Sequence, residues 1–554
     1  MRSTFFGLEI GRTGLSTAQF GLDTTGHNIA NVDTSGYTRQ RIVQTAYDPF
    51  ATIGKFAPVG EGMVGGGVRV QILNQIRSAY LDRRFRTEST AFSYWETRTQ
   101  SLSYIRSFFD NLNEKTSINY SMAEFFKSMK ILAEDTISGA PRTLMQTAAM
   151  DMAQQLNLIY DGLMDLQKTE NKAIETKVGD INRMAKEIAD LNKAIYGFEI
   201  TGMIANDLRD KRNLLVDKLA EYVDVEYREY PDPLNPEQTF FEVKIAGVTL
   251  VNHDRASELE TRLVPNVMDG EDDVAEIFWY TVIDDTAGYG DPLDLSKLTG
   301  GQLKAHIDMR DGIGDRADST SRGVPYYLEM INNLARALVK EINTIHVQGW
   351  SDNPGGSRTG IKFFEDMGAG RIEYFDASGN LVADPDDPSI VTAKYIVDDE
   401  DAFRAITARN FGLSQDILDS AYNIACSSTP IGRTGDPPEL QRGNNNNINS
   451  LYDLFRKTGI TMLSKDIGSF DDYGTVIRFD VANTMHTAEQ TGETSRLLAL
   501  AADNQRTAVA GVSLDEEMVG LVRYQHAYNG AARVITTMDD ALDRLINGTG
   551  RVGL

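Results

Sequence analysis

The feature that most constrains this chain is a pair of apolar seams at its two ends. Leu8, Gly11, Leu15, Ala18, Leu22, Thr25 and Ile29 alternate spacings of three and four. Leu514, Met518, Leu521, Gln525, Tyr528, Ala532 and Ile535 do the same, with Leu542 a heptad further on. Such spacing holds side chains on one stripe of a helix, as a coiled-coil seam requires. The two ends are therefore predicted to pack on each other or on neighbouring copies of the chain. The first seam sits in a segment poor in helix formers: Gly7, Gly11, Gly14, Gly21 and Gly26, with Thr13, Thr17, Thr24 and Thr25. Each interior glycine costs about 1 kcal/mol relative to alanine, and isolated helices are already marginal. The segment is expected to be disordered alone and to fold when a partner buries its Leu and Ile side chains, each worth roughly 1.5–3 kcal/mol.

Between the ends the periodicity is helical, interrupted twice. Val68 to Ile72 alternates as a strand does, and from Leu81 a three-four spacing through Phe85, Glu88, Phe92, Trp95, Thr99 and Leu102 predicts a helix to about Asn113. Ser121 and Glu124 form a capping-box pattern ahead of Phe125, Phe126, Met129 and Leu132. Pro141 can open a helix that meets no further proline before about Tyr196, with Ile174, Val178, Ile181, Ala185 and Ile188 on its buried side. Segment 225–292 then reads as strands: Phe240 to Val251 as a hairpin turning at Ala246-Gly247, and Ile277 to Ile283. Helical spacing returns at Leu328, Ile331, Leu334, Leu338 and Ile342 and breaks at Asn353-Pro354-Gly355-Gly356. Arg371 to Ala383 is a second hairpin, turning at Ser378-Gly379-Asn380; Gly443 to Asn447 reads as a flexible loop, and helix resumes near Leu451.

The predicted fold is mainly α with β-rich inserts. Residues 1–40 and 512–554 form a terminal helical assembly domain, a coiled-coil-like layer disordered in the monomer. Residues 41–224, 293–348 and 451–511 form a long helical rod domain, and 225–292 and 349–450 form acidic β-rich outer insert domains. A chain of 554 residues has ample material for such a division.

Charge follows the same division. Of the formal net charge of −25, segment 225–292 carries −12 (16 acidic, 4 basic) and segment 349–450 carries −8 (16 acidic, 8 basic). Residues 1–50 balance at four of each sign. Two readings stay open: the acidic segments face outward from an assembly, or they simply keep the protein soluble. Either way the chain lacks the clustered Lys and Arg that nucleic-acid binding needs. No stretch approaches the roughly 20 apolar residues of a membrane span. The start has no basic segment followed by an apolar run, so it is not read as a general secretory signal. The one cysteine, Cys426, excludes an internal disulfide and has no basic neighbour in sequence to activate it.

Signals for catalysis are poor. Gly60, Gly62 and Gly65 satisfy G-x-G-x-x-G but precede a strand rather than opening a helix. Neither G-x-x-x-x-G-K-[ST] nor H-E-x-x-H occurs, and the six histidines stand singly. Glu271-Asp272-Asp273 and Asp398-Asp399-Glu400-Asp401 lack the alternating ligands and central glycine of a calcium loop. No catalytic residue, metal or cofactor is expected.

Directly after the first seam runs NIANVDTSGYTRQ, Asn28 to Gln40. Asn28 and Asn31 can bond local backbone where the helix ends, Ser35-Gly36 supplies a turn, and Tyr37, Arg39 and Gln40 offer an aromatic face and polar donors to a neighbour. At the positions Asn28, Ile29, Ala30, Asn31, Gly36, Tyr37, Arg39 and Gln40 this string resembles the N-terminal signature of the bacterial flagellar axial proteins, the rod, hook and hook-associated subunits. Val512 to Gly548 is similar to the matching C-terminal end. Three internal stretches, Asp207 to Val225, Leu303 to Asp311 and Asn333 to Phe364, resemble the hook-associated junction members more than rod or hook subunits. The resemblance implies a non-enzymatic structural subunit joining hook to filament, exported unfolded by the flagellar type III pathway without a cleaved signal peptide. It implies as partners other copies of the chain in a ring or helical layer, the hook protein, a second hook-associated protein, and an export chaperone on the C-terminal helix around Leu521, Tyr528 and Ile535. Neither nucleic acid nor membrane insertion is implied. The alternatives are a hook or distal-rod subunit, or an axial protein carrying an enzyme or adhesin insert.

Overall fold

The structure is a computed structural model that describes residues 5–47, 65–109, 117–266, 268, 271–283, 286–314, 321–353, 356–431, 443–462 and 465–548. Gly60, Gly62, Asn113, Pro354 and Gly355 lie outside the described residues.

Helix α1 (Phe6–Ala30) leads into an antiparallel ribbon of β1 (Gln40–Ala46) and β2 (Val68–Gln75), in which Ile42 faces Leu73. Four helices follow: α2 (Ala79–Phe109), α3 (Ile118–Glu134), α4 (Gly139–Glu199) and α5 (Asn206–Tyr222). The cap of α3 is Ser117, whose hydroxyl accepts from the Tyr120 N–H, so the helix starts earlier than the Ser121/Glu124 pattern predicts. Ser121 sits inside the first turn and bonds back to the Ser117 carbonyl. Pro141 falls in the first turn of α4, where its missing N–H costs nothing. The helix then runs 61 residues, on the order of 90 Å at 1.5 Å per residue. Ile174, Val178, Ile181, Ala185 and Ile188 are all buried.

Strands β3 (Val225–Pro231), β4 (Thr239–Ile245), β5 (Val248–Asn252) and β6 (Arg255–Ala256) form one antiparallel sheet in sequence order. The β4–β5 turn sits at Ala246-Gly247, both at positive φ, which is the backbone a two-residue hairpin turn demands. A second sheet holds β7 (Glu258–Val264), β8 (Val274–Ile283) and β9 (Thr286–Pro292). Then come α6 (Gly301–Asp311) and α7 (Val324–His346), a helix with Leu328, Ile331, Leu334, Leu338 and Ile342 all buried. A three-stranded sheet places β10 (Gly370–Asp376) between β11 (Leu381–Val382) and β12 (Ile390–Val397), with the predicted turn at 378–380. Two five-residue helices follow, α8 (Glu400–Arg404) and α9 (Gln415–Asp419). Helix α10 (Asn446–Asp453) starts inside the run of asparagines that the sequence suggests is a loop. A short ribbon, β13 (Ile460–Met462) and β14 (Lys465–Gly468), precedes α11 (Phe470–Ala510) and α12 (Leu514–Gly548).

Two cores are strung along α4. One joins its N-terminal half to α2, α3, α7, α10 and the start of α11; the other joins its C-terminal half to α5, α6 and the two sheets of 225–292. Segment 349–450 is less separate than its charge predicts. Phe363, Phe364, Phe403, Ile406, Phe411, Ile417 and Ile424 are built into the first core, against α3, α4 and α7. Among the described residues its regular β structure is one small sheet.

Candidate assembly interface and its joint

Among the described residues, neither large core contains any residue of α1 or α12. These two helices pack on each other, antiparallel. Gly7 lies against Met538, Gly11 against Ile535 and Ala531, Gly14 against Ala531, Gly21 against Tyr524, and Thr25 against Gly520. A Cβ on Gly21 would stand 2.5 Å from the Tyr524 ring, and one on Gly11 2.7 Å from Ile535. Four of the five glycines that weaken α1 in isolation, Gly7, Gly11, Gly14 and Gly21, are thus what lets α12 approach its backbone. Gly7, Gly11, Gly14, Ala18, Gly21, Thr25 and Asn28 themselves alternate spacings of four and three, a seam of small residues that shares Gly11, Ala18 and Thr25 with the first seam and takes the position just before each of its Leu and Ile residues. This period is the sequence signal for the contact, and helix propensity alone does not reveal it.

Of the residues assigned to the N-terminal seam, Gly11, Ala18 and Thr25 are buried in the pair, while Leu8, Leu15, Leu22 and Ile29 flank the contact and are half-buried. On α12 the contact runs through Glu517, Gly520, Tyr524, Ala531, Ile535 and Met538. Ile535 is common to this face and the assigned seam. Leu521, Tyr528, Ala532 and Leu542 are half-buried beside it. Leu514, Met518 and Gln525 point to solvent, Met518 being 52 % exposed and its neighbour Val519 70 %.

The string 28–40 forms a joint where α1, β1, α5, the end of α11 and the start of α12 meet. Asn28 is 2 % exposed and every side-chain hydrogen-bonding capacity is used. Its Nδ2 donates to the Gln40 carbonyl (2.9 Å) and to Glu517 Oε2 (3.0 Å). Its Oδ1 accepts from Tyr37 Oη (2.8 Å) and the Gln40 N–H (3.0 Å). Glu517, also buried, takes Arg39 Nε at 2.7 Å, and Arg39 pairs with Glu516 as well. The Arg39 N–H donates to the Ala510 carbonyl at 2.8 Å, tying the end of α11 to the same spot. On the other side the Thr38 N–H donates to Asp210 Oδ2 (2.9 Å) and Gln40 Nε2 to Asp207 Oδ1 (2.9 Å), both on α5. Gly36 has φ +79°, a left-handed turn that aims Tyr37 back at α1, and a Cβ there would stand 3.2 Å from Leu214. Asn31 donates to the His27 carbonyl at the helix end. Ala30 closes α1, exposed, and Ile29 sits half-buried beside it.

The electrostatics follow from burial and this crowd of carboxylates. Burial pushes the Tyr37 hydroxyl up, reinforced by the charges of Asp207, Asp210 and Glu517, so Tyr37 remains a donor. Burial also raises Asp210, against the lowering effect of Thr38 and Arg77. Burial alone would lower Arg39, but Glu516 and Glu517 outweigh it and raise it. Sequence reasoning misses Asp207, Asp210, Glu516 and Glu517 as partners of the string, although they fall within the family-like stretches Asp207 to Val225 and Val512 to Gly548.

Elsewhere, Cys426 is fully buried and burial lifts its thiol to about 11, an unreactive thiol. Among the described residues, no group of three His, Cys, Asp or Glu side chains could hold a metal ion, and no helix is long and apolar enough to cross a membrane.

Comparison with known proteins gives three matches along the chain. Residues 8–38 match the family described as flagella basal body rod protein, residues 504–548 the flagellar basal body rod FlgEFG protein C-terminal, and residues 102–364 the flagellar hook-associated protein FlgK helical domain. The paired end helices, the joint beneath them and these matches define the class: the chain is a flagellar axial protein. It is 28 % identical to flagellar hook-associated protein 1 of Bacillus subtilis strain 168, over 99 % of both chains. It is 25 % identical to flagellar hook-associated protein 1 of Escherichia coli K12, over 97 % of this chain and 98 % of the relative. The solved structure of the flagellar hook junction protein FlgK from Burkholderia pseudomallei shares the fold, with a TM-score of 0.56 at 14 % identity, covering 77 % of this chain and all of that one. Along nearly its full length the chain is thus similar to flagellar hook-associated protein 1, and the matches support a flagellar hook-associated structural protein.

Proposed function

We propose that this chain is the non-enzymatic subunit that joins the flagellar hook to the filament side, working as a mechanical adaptor. The observation that carries the reading is the α1–α12 pair. It stands outside both cores, is zipped by a stripe of glycines, and keeps Leu514, Met518, Val519 and Val522 exposed on one face of α12. A lone soluble protein gains nothing from such a face; a subunit that packs against other copies does. In this reading residues 1–40 and 512–554 form the inner assembly layer, 41–224, 293–348 and 451–511 the helical rod, and 225–292 and 349–450 the outward acidic surface. The family string is the joint that passes load from the terminal pair to the rod.

The partners follow from the same reading: further copies in a ring or helical layer, the hook protein on one side and a second hook-associated protein on the other. The chain leaves the cell through the flagellar type III pathway with its end helices unformed, without a cleaved signal. Before assembly an export chaperone holds the C-terminal helix around Leu521, Tyr528 and Ile535, side chains that α1 only half covers.

The test is complementation of a strain lacking this chain, scoring hook–filament junctions. Ile535→Asp and Leu521→Asp are expected to abolish incorporation by breaking the pair, and Met518→Glu by charging its free face, all with the two cores folded. Normal junctions with Met518→Glu would sink the role of that face. A hook or distal-rod role would instead place the chain below the junction in labelled flagella. An enzyme or adhesin insert would reveal itself as an activity lost when the β-sheet segment 225–292 is replaced.

A further inference from the structure

Only two Asn-Gly dipeptides occur in the chain, Asn529-Gly530 and Asn547-Gly548, and both lie in α12. The second is at the helix end, where Asn547 donates to Asp543. The first is in the interior of a 35-residue helix, where asparagine and glycine are both poor choices. Packing within the chain does not explain it. Asn529 and Gly530 are exposed, and a Cβ on Gly530 would meet nothing within 4 Å, in contrast to Gly7, Gly11 and Gly21 of the partner helix.

We propose that Asn529-Gly530 is a self-modifying site gated by the helix. In an open chain the main-chain nitrogen of Gly530 attacks Cγ of Asn529. A C–N bond forms, the bond to the side-chain nitrogen breaks, and ammonia leaves, giving a cyclic imide. Water then opens the imide at one carbonyl or the other, leaving an aspartate or its β-linked isomer in place of the asparagine. Glycine permits the backbone rotation this requires and leaves the nitrogen unshielded. In the helix the same nitrogen is locked, because its N–H is committed to the carbonyl four residues back and the dihedrals are fixed. The β-linked product inserts an extra main-chain carbon in mid-helix, and α12 cannot re-form through it. A chain left open too long thus retires itself, whereas a chain held helical is spared.

The inference deepens the proposed function and rests on its reading that α12 is open before assembly. The full-length chain is aged in mildly alkaline buffer with and without denaturant, and peptide mass mapping scores both sites while hydrogen exchange reports opening at 529–530. In denaturant the two sites should react at comparable rates; without it, Asn529 should slow relative to Asn547 by the factor by which exchange at 529–530 slows. Gly530→Ala should remove the modified peptide at 529 and leave Asn547 reacting. Reaction at Asn529 as fast in a closed helix as in denaturant, or none in denaturant while Asn547 reacts, would overturn the gate. A protected helix in a proven monomer, with Asn529 spared to match, would uphold the gate and refute opening before assembly.

Discussion

Two glycines five residues apart in α1 should respond to alanine with opposite signs. Gly26 faces open space, so Gly26→Ala gains the helix-propensity difference of about 1 kcal/mol and meets no contact. Gly21 is the site of closest approach to Tyr524, where a Cβ would stand 2.5, 2.6 and 2.7 Å from three ring atoms. Those are the near side of the ring rather than the end of a flexible chain, so the ring or the whole helix must shift. Overpacking of this kind costs about 1–3 kcal/mol. The propensity gain is common to both variants, so the difference between them isolates the overpacking cost, roughly five- to 150-fold in local protection. Gly14→Ala is the intermediate case: its Cβ would meet Ala531 at 3.4 Å, ordinary contact, and the variant should behave like Gly26→Ala. Hydrogen exchange of peptides within 6–30 and 514–548 reads the effect. The comparison is made in the assembled layer, where the pair is closed, and equal protection there in Gly21→Ala and Gly26→Ala would refute the glycine-stripe contact; fast exchange over both helices in the monomer is what opening before assembly requires.

The joint and the buried histidine give further expectations. Asn28→Ala should cost about 2–4 kcal/mol by removing one partner each from Glu517 and Tyr37 and both side-chain partners of the Gln40 backbone, and in the assembled layer should free α12 in hydrogen exchange while the cores stay protected. Asn28→Asp sets a carboxylate against Glu517, whose Oε2 lies 3.0 Å from the Asn28 amide, and Glu517→Gln should partly rescue it because the new amide donates; absence of rescue would remove Glu517 from the joint. His346 is fully buried, bonded to the Ile361 carbonyl through Nδ1 and accepting from the Ala425 N–H through Nε2. Burial lowers it to about 4, below its ordinary value, so its contribution is full above about pH 6.5 and is lost as pH falls towards 4, up to about 3 kcal/mol. Urea unfolding of the full chain between pH 7 and 4 should show that loss, and His346→Asn should flatten it.

The helices and hairpins of the middle are legible in the sequence because burial there is periodic and local. Ile174 to Ile188 on α4, Leu328 to Ile342 on α7 and the Ala246-Gly247 turn each carry their own signal. The start of α3 is misplaced by pattern because Ser117 and Ser121 offer the same cap one turn apart, and the geometry that selects Ser117 is not written in spacing. The place of 349–450 is hidden for another reason. Its aromatic residues, Phe363, Phe364 and Phe411, are scattered through loops without a period, so nothing local says that they complete a core begun by Phe125 and Phe126. At the joint the string itself is visible, but its partners on α5 and α12 are some 170 to 490 residues away, and only tertiary structure pairs them.

The two seams of α1 divide the work of the helix. Gly7, Gly14, Gly21 and Asn28 recur every seven residues and turn inward, and each is followed at once by Leu8, Leu15, Leu22 or Ile29. Because one position is about 100° around a helix, the large side chains stand beside the contact, where α12 covers them only in part. The small residues set how close the two backbones come; the large ones hold burial in reserve. Completing the burial of four such side chains is worth several kcal/mol at roughly 1.5–3 kcal/mol for a full side chain, comparable to the whole stability of many domains. A pair that keeps this much apolar surface half-covered is most stable with another helix beside it, which is the arrangement the proposed function requires of neighbouring copies.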